Sequence, residues 1–387
     1  MSGVEGHIRI ELGRPVRITA QRPLAAARLF AGKTPTETLT TLPLLFNVCG
    51  MAQAQASVDA IEQALGVTPP PDTRRARRLL VLFETAREHL ARILLDWPGL
   101  FGFDRPRGDL GWLGRLLPAL RKTLSDGRSD PFQPGATARP DPAPLRAEIA
   151  RLERILEADV LGVSPYRWLE LAGDAPLADW AGTSEAVAAR SVSVLLDRGW
   201  ADQGQAACRP LPDPLDRARL TDALLQAETT GFVARPVWER QPRETGPLAR
   251  QLGHPLVQAV RDRFGDGLLA RWVARLVELA ALPQRLRAVL NGHEAPDPAP
   301  ASPPGEGLAA VEAARGRLHH RVAIDSGRVR DYQILAPTEW NFHPEGVAAQ
   351  ALSDIRVEDD ERRLSLARLL VNAIDPCVAC TLELRHA

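Results

Sequence analysis

The stretch Asp-Pro-Cys-Val-Ala-Cys occupies residues 375–380 and ends seven residues before the last residue of the chain. Thiols three residues apart, Cys377 and Cys380, are predicted to lie on one side of a helical turn, which suits one metal ion or a redox pair. Pro376 fixes the backbone directly before the first thiol. Taken alone, the motif is equally typical of two reduced cysteines in a C-terminal turn. A second distinctive pair, Cys49-Gly50, lies near the other end of the chain and favours a functional interpretation.

Length and composition are those of an ordinary soluble protein with a well-buried core. The 387 residues include 48 Lys and Arg and 48 Asp and Glu, so the net charge is zero. A neutral chain gives no argument for a nucleic-acid partner or an anionic membrane surface. No apolar run of about 18 residues is present, so no membrane span is expected. The N-terminus lacks a secretory signal and four cysteines do not form a disulfide scaffold, which together predict a cytoplasmic location with reduced thiols.

Periodicity along the chain predicts a mainly α protein with small β elements, of the α+β class. Residues 4–10 alternate as a short strand. A helix from Met51 to Leu65 is closed by Gly66, and Asp72 is expected to cap a further helix that ends near Trp97. Two strands, 320–324 and 329–335, flank a turn at Asp325-Ser326-Gly327. Other helices are expected near residues 110–125, 144–161, 183–198, 215–229, 255–263 and 267–291, and from 360 to the residue before Asp375.

The chain is predicted to form one integrated domain. Shifts in composition divide it into segments. Residues 1–66 contain the N-terminal strand and the first-cysteine helix, and residues 67–293 form a helical middle region. Within that region residues 127–144 are rich in proline, as is the segment 294–306 that follows it. Such proline density does not continue a helix or sheet and predicts extended, exposed linkers. Residues 307–387 contain the predicted β-hairpin, the last helix and the paired-cysteine motif.

Five short motifs, in the same order along the chain, resemble motifs of the large subunit of nickel–iron hydrogenases. They lie at residues 3–10, 48–50, 315–320, 332–341 and 375–380. The last of them resembles the Asp-Pro-Cys-x-x-Cys motif of that family, and the fourth resembles its Tyr-Gln-x-x-x-Pro-Thr-Thr-Trp-Asn stretch. The resemblance implies a large-subunit-like fold, in which residue 49 lies beside residues 377 and 380.

In that family four thiolates hold a nickel ion and an iron ion that carries cyanide and carbon monoxide. By motif position, Cys49 and Cys377 match the thiolates that bind nickel only, and Cys380 matches one of the two bridging thiolates. The other bridging thiolate falls at Ala52. Residues 49 and 52 share one face of the predicted helix, so the substitution changes the site itself. Three thiolates are too few for a two-metal core, so nickel is not expected to bind stably, whereas Cys380 with Cys377 or Cys49 still suits an iron fragment alone.

Arg315, Pro337 and Thr338 match residues that surround the diatomic ligands of the iron in that family. A guanidinium and a hydroxyl donate hydrogen bonds to cyanide nitrogens, which carry excess negative charge. Glu5 matches a carboxylate that helps to bind magnesium in the family, and Glu383 is its expected partner. The retained iron pocket beside a missing nickel bridge predicts handling of the iron fragment rather than hydrogen turnover.

Among relatives of the large subunit, the HupK-type hydrogenase expression and formation proteins resemble this pattern, because they are shorter and have a degenerate first motif. The resemblance implies a maturation role without an enzymatic activity. The chain would hold or protect the iron cyanide and carbonyl fragment before its transfer to the hydrogenase large subunit. Its expected partners are hydrogenase maturation proteins and that large subunit. Two alternatives stay open: a metal-free large-subunit-like chaperone in maturation, and a divergent hydrogenase large subunit that binds both metals.

Overall fold

The computed structural model describes residues 6–21, 24–45, 48–106, 108, 110–125, 130–227, 231–293 and 302–385. Helices dominate these residues, and small sheets accompany them, so the predicted α+β architecture is confirmed. Glu5, one of the two expected magnesium ligands, lies outside the described residues. So do residues 294–301, which make up most of the second proline-rich segment.

The N-terminal part begins with two strands and continues into long helices. Its elements are β1 (His7–Leu12), β2 (Arg17–Gln21), a 3-10 helix at Leu24–Phe30, α1 (Pro35–Leu45), α2 (Gly50–Leu65), α3 (Pro71–Ala91) and α4 (Trp97–Phe101). The helix predicted at 51–65 is confirmed as α2, and Gly66 ends it in a left-handed conformation. The prediction that Asp72 caps α3 is wrong, because Pro71 already occupies the first helical position and Pro70 precedes it. A wider π-helical turn at Arg92–Asp96 joins α3 to α4.

The middle of the chain is a set of helices packed around one long buried helix. Its elements are α5 (Gly111–Leu124), α6 (Pro142–Ile155), α7 (Pro165–Leu169), α8 (Asp174–Thr183), α9 (Val187–Asp197), β3 (Arg209–Pro210), α10 (Arg217–Leu225), β4 (Arg243–Glu244), α11 (Pro247–Gln251), α12 (Pro255–Phe264) and α13 (Leu268–Leu290). Most side chains of α13 are buried on all its sides, as expected for the centre of a core. Trp272 of α13 stacks on Trp97 with ring centroids 3.7 Å apart, which ties α4 to this centre. None of the described helices is long and apolar enough to span a membrane.

The C-terminal part supplies a three-stranded antiparallel sheet and the last helices. Its elements are β5 (Glu306–Ala313), β6 (Gly316–Asp325), β7 (Arg328–Leu335), α14 (Pro337–Asn341), α15 (Val347–Ser353), α16 (Asp360–Ile374) and β8 (Ala379–Leu384). β6 and β7 confirm the predicted hairpin, and α16 confirms the last predicted helix. The strand β5, which the sequence did not predict, pairs with β6 and completes the sheet on which α2 packs.

A second sheet joins the two ends of the chain in the order β2-β1-β8. β8 runs parallel to β1, with His7 opposite Ala379 and Leu12 opposite Leu384. Ile8 and Ile10 of β1 are completely buried against the core, which anchors this sheet to the helices. The C-terminal paired-cysteine motif therefore lies beside the N-terminal strand, although more than 360 residues separate them in sequence.

The first proline-rich segment, predicted as an exposed linker at 127–144, packs onto the helices over its described part. Phe132 and Ala138 are buried. The buried guanidinium of Arg77 in α3 donates a hydrogen bond to the carbonyl of Pro131 at 2.7 Å, and α6 already begins at Pro142. The expectation of exposure is wrong here because helix side chains satisfy the backbone groups that proline leaves outside regular structure.

Candidate functional site

Cys49 lies at the start of α2, in the contact between this helix and the sheet β5-β6-β7. Its backbone is left-handed, with φ of 57°, and the side chain is only 6% exposed. Ala52 and Ala56, one and two turns further along α2, belong to the same small apolar cluster, as the helical spacing predicts. Burial raises the pKa of the Cys49 thiol far above its ordinary value, although the guanidinium of Arg315 opposes the shift.

A carboxylate from α3 caps the first turn of α2. Met51 and Ala52 donate their backbone N–H groups to the two oxygens of Glu84, at 2.8 and 2.9 Å. These N–H groups belong to the helix start and have no partner within α2. Burial raises the pKa of Glu84 to about 7, and the two N–H donors oppose that shift. Sequence reasoning missed Glu84. The signal that could have identified it is an acidic residue among the apolar residues on the buried face of α3.

Cys377 is held by Thr338, which begins the helix α14 together with the buried Pro337. The Thr338 hydroxyl lies 3.0 Å from the Cys377 sulfur, to which it donates, and it accepts the Cys377 backbone N–H at 3.3 Å. Pro337, Thr338 and Cys377 are thus brought together as the motifs predicted. The prediction of a helical turn at the paired cysteines is wrong. Helix α16 ends at Ile374 and the chain then bends into β8, because Asp375 adopts a left-handed conformation with φ of 64°.

Arg315 joins the two thiol segments. Its Nη1 donates to the Cys49 sulfur at 3.1 Å and to a carboxylate oxygen of Glu88 in α3 at 2.9 Å. Its Nε lies 3.2 Å from Asp375 Oδ1, and the side chain is 3% exposed. The pKa of Arg315 is lowered by burial but raised overall by the acidic groups around it, Cys49 and Cys377 among them, so both thiols lie within electrostatic reach of the same guanidinium. None of the hydrogen bonds among the described residues uses Arg315 Nη2.

Asp375 is a buried carboxylate that three arginines share. Arg92 Nε donates to Oδ1 at 2.9 Å, Arg315 Nε lies 3.2 Å from the same oxygen, and Arg275 Nη2 lies 3.7 Å from Oδ2. Burial opposes ionisation of Asp375, but the three guanidinium groups outweigh it and lower its pKa. Arg275 also donates to the carbonyls of Asn372 and Ala373 at the end of α16. The motif is therefore fixed by charge as well as by its strand.

The backbone at Arg315 is fixed from the other side by Asn341 at the end of α14. The Asn341 side chain accepts the N–H of Thr245 at 2.9 Å and donates to the carbonyls of Thr245 and Arg315, at 2.8 and 3.3 Å. Gly246, with φ of 128°, approaches the Arg315 carbonyl so closely that a Cβ atom would lie 3.2 Å from it. These contacts hold Arg315 at the turn between β5 and β6.

Cys380 is placed differently from the other two thiols of the motifs. It lies in β8 opposite Ile8, half-buried, between the exposed residues Ala379 and Thr381. Burial raises its pKa to about 11. Among the described residues, the one hydrogen-bond partner of its sulfur is the carbonyl of Thr381, 4.0 Å away. Over the described ranges, no group of three or more His, Cys, Asp and Glu side chains is arranged to hold a metal ion.

Glu383, the described member of the expected magnesium pair, forms an ion pair with Arg9 across β1 and β8. Arg9 Nη2 lies 2.6 Å from the Glu383 carboxylate, and both side chains are about half exposed. The neighbouring His7 Nε2 lies 2.9 Å from the Thr381 hydroxyl. Because Glu5 lies outside the described residues, the magnesium site stays a prediction.

Gln53, the residue after Ala52 and one helical turn from Cys49, belongs to a separate hydrogen-bond network between α2 and the sheet. Its Oε1 lies 2.8 Å from His320 Nε2, and His320 Nδ1 lies 2.8 Å from the Tyr332 hydroxyl, which in turn bonds Ser57 at 2.7 Å. Burial lowers the pKa of His320 to about 3, so the ring is neutral. Gln53 therefore does not replace the thiolate that Ala52 lacks.

Known proteins resemble this chain in sequence and in structure. A family model described as nickel-dependent hydrogenase matches residues 185–383. The hydrogenase expression/formation protein HupV of Azotobacter chroococcum mcd 1 is 32% identical over 98% of both chains. HoxV of Cupriavidus necator is 32% identical over 98% of this chain and 95% of its own, and HupK of Azotobacter vinelandii is 31% identical over 98% of both.

Among solved structures, the Ni-Fe-Se hydrogenase from D. vulgaris Hildenborough in the reduced state matches 94% of this chain and 93% of its own, with a TM-score of 0.64 and 19% identity. At that identity the match shows the fold alone, and it confirms the large-subunit-like fold that the motifs implied. The full-length relatives carry the more specific assignment. The chain belongs to the nickel-dependent hydrogenase family and, within it, to the hydrogenase expression/formation proteins of the HupK, HupV and HoxV type.

Proposed function

We propose that the protein acts in hydrogenase maturation as a scaffold that holds the iron cyanide/carbonyl fragment before transfer to the hydrogenase large subunit. Its full-length relatives are named as hydrogenase expression/formation proteins, which supports the maturation role. One observation carries the scaffold role: two thiols, Cys49 and Cys377, each accept a hydrogen bond from a residue of the iron-ligand pocket. Cys380 lies three residues further along the same motif.

The donors of this pocket suit an anionic iron fragment. Thiolates are soft ligands that bind low-spin iron, and hydrogen bonds to their sulfurs stabilise the charged form. Arg315 offers Nη2, which the described residues leave without a hydrogen bond, and cyanide nitrogens accept such charge-assisted bonds. The buried Pro337 forms an apolar wall next to Thr338. These groups would bind the diatomic ligands through hydrogen bonds and apolar contact, without a second metal ion.

Ala52 explains why the iron fragment would be carried rather than built into a permanent cofactor. It is completely buried and belongs to the same apolar cluster as Cys49, so a methyl group stands where the motif of the resembled family has a thiolate. A two-metal core lacks its second bridging thiolate there. Nickel would then have no stable place, and the iron fragment would remain exchangeable.

Infrared spectroscopy of the protein purified without oxygen from cells that make the cofactor tests this proposal. We expect cyanide and carbonyl bands, iron near one equivalent and nickel far below it. Cys208→Ser is the matched control: Cys208 is a half-buried thiol near Glu244 and Arg271 and outside the motifs that supply the pocket, so its loss should leave the bands unchanged. Absence of the bands under every anaerobic condition would falsify the scaffold role.

The double variant C377S/C380S separates the scaffold from the other two functions. A scaffold loses its bands and no longer supports hydrogenase maturation in cells. A metal-free chaperone keeps that support, because its contacts do not depend on thiol ligands. A divergent hydrogenase large subunit is recognised by about one equivalent of nickel and by hydrogen-dependent dye reduction in the wild-type protein.

A further inference from the structure

Arg217, the first residue of helix α10, has a half-buried guanidinium with no acidic partner among the described residues. Its Nη1 donates to the carbonyl of Leu308 in β5 at 2.7 Å. Its Nη2 donates to the side-chain oxygen of Gln63 at 3.1 Å and to the Ser302 hydroxyl at 3.2 Å. Burial lowers the pKa of Arg217, and no carboxylate opposes that shift. A guanidinium has five N–H donors, so the Nε–H and one N–H of Nη1 remain for another acceptor.

His319 in β6 is a buried ring that takes part in no hydrogen bond among the described residues. It is 3% exposed, and its Nδ1 is buried without a partner. Burial, together with the charges of Arg317 and Arg217, lowers its pKa to about 3, so the ring is neutral and carries one N–H. Arg317 is already paired with Glu312, at 2.5 Å, so Arg217 is the cation near this ring whose charge is not balanced.

Strand β5 gives this region an exposed side. Leu308 turns its N–H to Gln63 and its carbonyl to Arg217, so both groups point away from β6. Because backbone groups two residues apart in a strand point the same way, the N–H of Ala310 lies at the same outer edge. Ala310 is exposed and lies opposite His319 in the register of β5 and β6, so the two side chains share one face of the sheet. A small solute therefore reaches the edge of β5 between Leu308 and Ala310 from the solvent.

From these observations we propose that Arg217, His319 and the Ala310 N–H form a binding site for an oxyanion, the phosphate or carboxylate group of a small molecule, at the outer edge of β5. The unused groups are donors, which suit an anion and do not suit a metal cation. An oxyanion accepts several charge-assisted hydrogen bonds at once and supplies the negative charge that Arg217 lacks. The buried ring nitrogen then gains the partner that such a group ordinarily has.

The oxyanion site is separate from the thiol site. His320, the strand neighbour of His319, bonds Gln53 of α2, and successive residues of a strand point to opposite faces. His319 therefore lies on the face of the sheet that α2 does not cover. The inference does not depend on iron binding, so it stands or falls independently of the proposed function.

Anion titration of the purified wild-type protein tests the site. Inorganic phosphate and acetate are added in separate series, with chloride at the same ionic strength as the reference. Calorimetry measures binding, and thermal unfolding measures stabilisation. We expect saturable binding and a higher unfolding temperature with at least one of the two anions, because a ligand that binds only the folded state stabilises it. The anion with the stronger response identifies the chemical class of the natural ligand.

Arg217→Gln should weaken binding of that anion by roughly tenfold or more, because hydrogen bonds from a charged group are lost. Arg219→Gln is the matched control. Arg219 lies on the same helix, is exposed and stacks over the Trp238 ring at 4.7 Å, so its loss should leave the affinity unchanged.

Arg217→Lys keeps the charge but loses the planar fork, so its affinity should fall between those of wild type and Arg217→Gln. It carries the comparison if circular dichroism shows that Arg217→Gln does not fold. Two results would overturn the inference: no saturable response of the wild type to either anion beyond chloride, or the wild-type affinity in a folded Arg217 variant.

Discussion

Two polar regions border helix α2 and differ in character. In the first, Gln53, His320, Tyr332 and Ser57 form a closed network in which both ring nitrogens and both hydroxyls have partners at 2.7–2.8 Å. The second is the thiol site, where Arg315 Nε and Asp375 Oδ2 are buried without a hydrogen bond among the described residues. Both regions are buried, and both contain groups that sequence reasoning treats as candidate ligands.

The difference shows how to separate structural from functional polar groups in this fold. A buried polar group costs free energy unless it is paired, so a fully paired network needs nothing more and fixes the packing of α2 on the sheet. In the thiol site Arg315 Nε and Asp375 Oδ2 take part in ion pairs, but neither makes a hydrogen bond with a described residue, so the pairing there is less complete. We therefore assign His320 to the structure and keep Arg315 as a candidate residue of the site.

The largest effect is expected for Arg315→Ala. It removes one partner of Asp375 and Glu88 and should lower the free energy of unfolding by about 3 kcal/mol, as expected when a buried ion pair is broken. Denaturant titration measures this loss, and the infrared bands of the iron fragment should vanish. Arg9→Ala is the matched control, because the exposed pair of Arg9 and Glu383 should leave stability unchanged. Equal stability of both variants would show that Arg315 is not the centre of the charge network.

His320→Leu should destabilise the closed network without touching the site. The substitution leaves Gln53 Oε1 and the Tyr332 hydroxyl with one partner fewer in a buried position, at a cost of about 2 kcal/mol in the free energy of unfolding. Chemical denaturation gives the magnitude, and infrared spectra of the loaded variant should match wild type. A shift of the cyanide or carbonyl bands would mean that the closed network and the thiol site are coupled.

Acid should destabilise the folded chain through two buried neighbours, His320 of the closed network and the adjacent His319. Burial lowers the pKa of His319 and of His320 to about 3, whereas the unfolded chain takes up these protons near pH 6.5. Between these two pH values the unfolded state therefore binds more protons than the folded state. The free energy of unfolding keeps its full histidine contribution above about pH 6.5 and decreases as the pH falls towards 3. Each histidine contributes a slope of up to about 1.4 kcal/mol per pH unit. His320→Gln should remove one such contribution, and unfolding free energies at pH 7, 6 and 5 measure it; identical slopes in both proteins would contradict the assignment.

Thr338→Val should have the smallest effect on stability and a visible effect on the site. It removes the buried hydroxyl that donates to the half-buried Cys377 sulfur and accepts the Cys377 N–H, contacts worth about 1 kcal/mol. Thermal unfolding should change by a few degrees at most. The carbonyl and cyanide bands should shift, because the donor to the iron-bound thiolate is lost. Unchanged bands would remove Thr338 from the pocket.

Much of the fold was predictable because its signals are local. Gly66 after an apolar repeat marked the end of α2, and the turn at Asp325-Ser326-Gly327 marked the β6-β7 hairpin. The strand β8 was not predictable in the same way. Its pairing with β1 joins residues more than 360 positions apart, and its six residues, which begin inside the paired-cysteine motif, fit a turn equally well.

The sequence by itself determined which family its motifs resemble. It also determined that position 52 is an alanine without a thiol, and it grouped four residues as parts of one site: Cys49, Arg315, Thr338 and Cys377. Tertiary structure alone decided which other groups contact these residues. It brought the Glu84 cap, Glu88 and the three arginines of Asp375 to the site, and it placed Cys380 on an edge strand. The physical reason is that helix and turn signals depend on neighbours a few residues away. The pairing of buried charges and the exposure of a thiol depend on elements that meet only when the whole chain has packed.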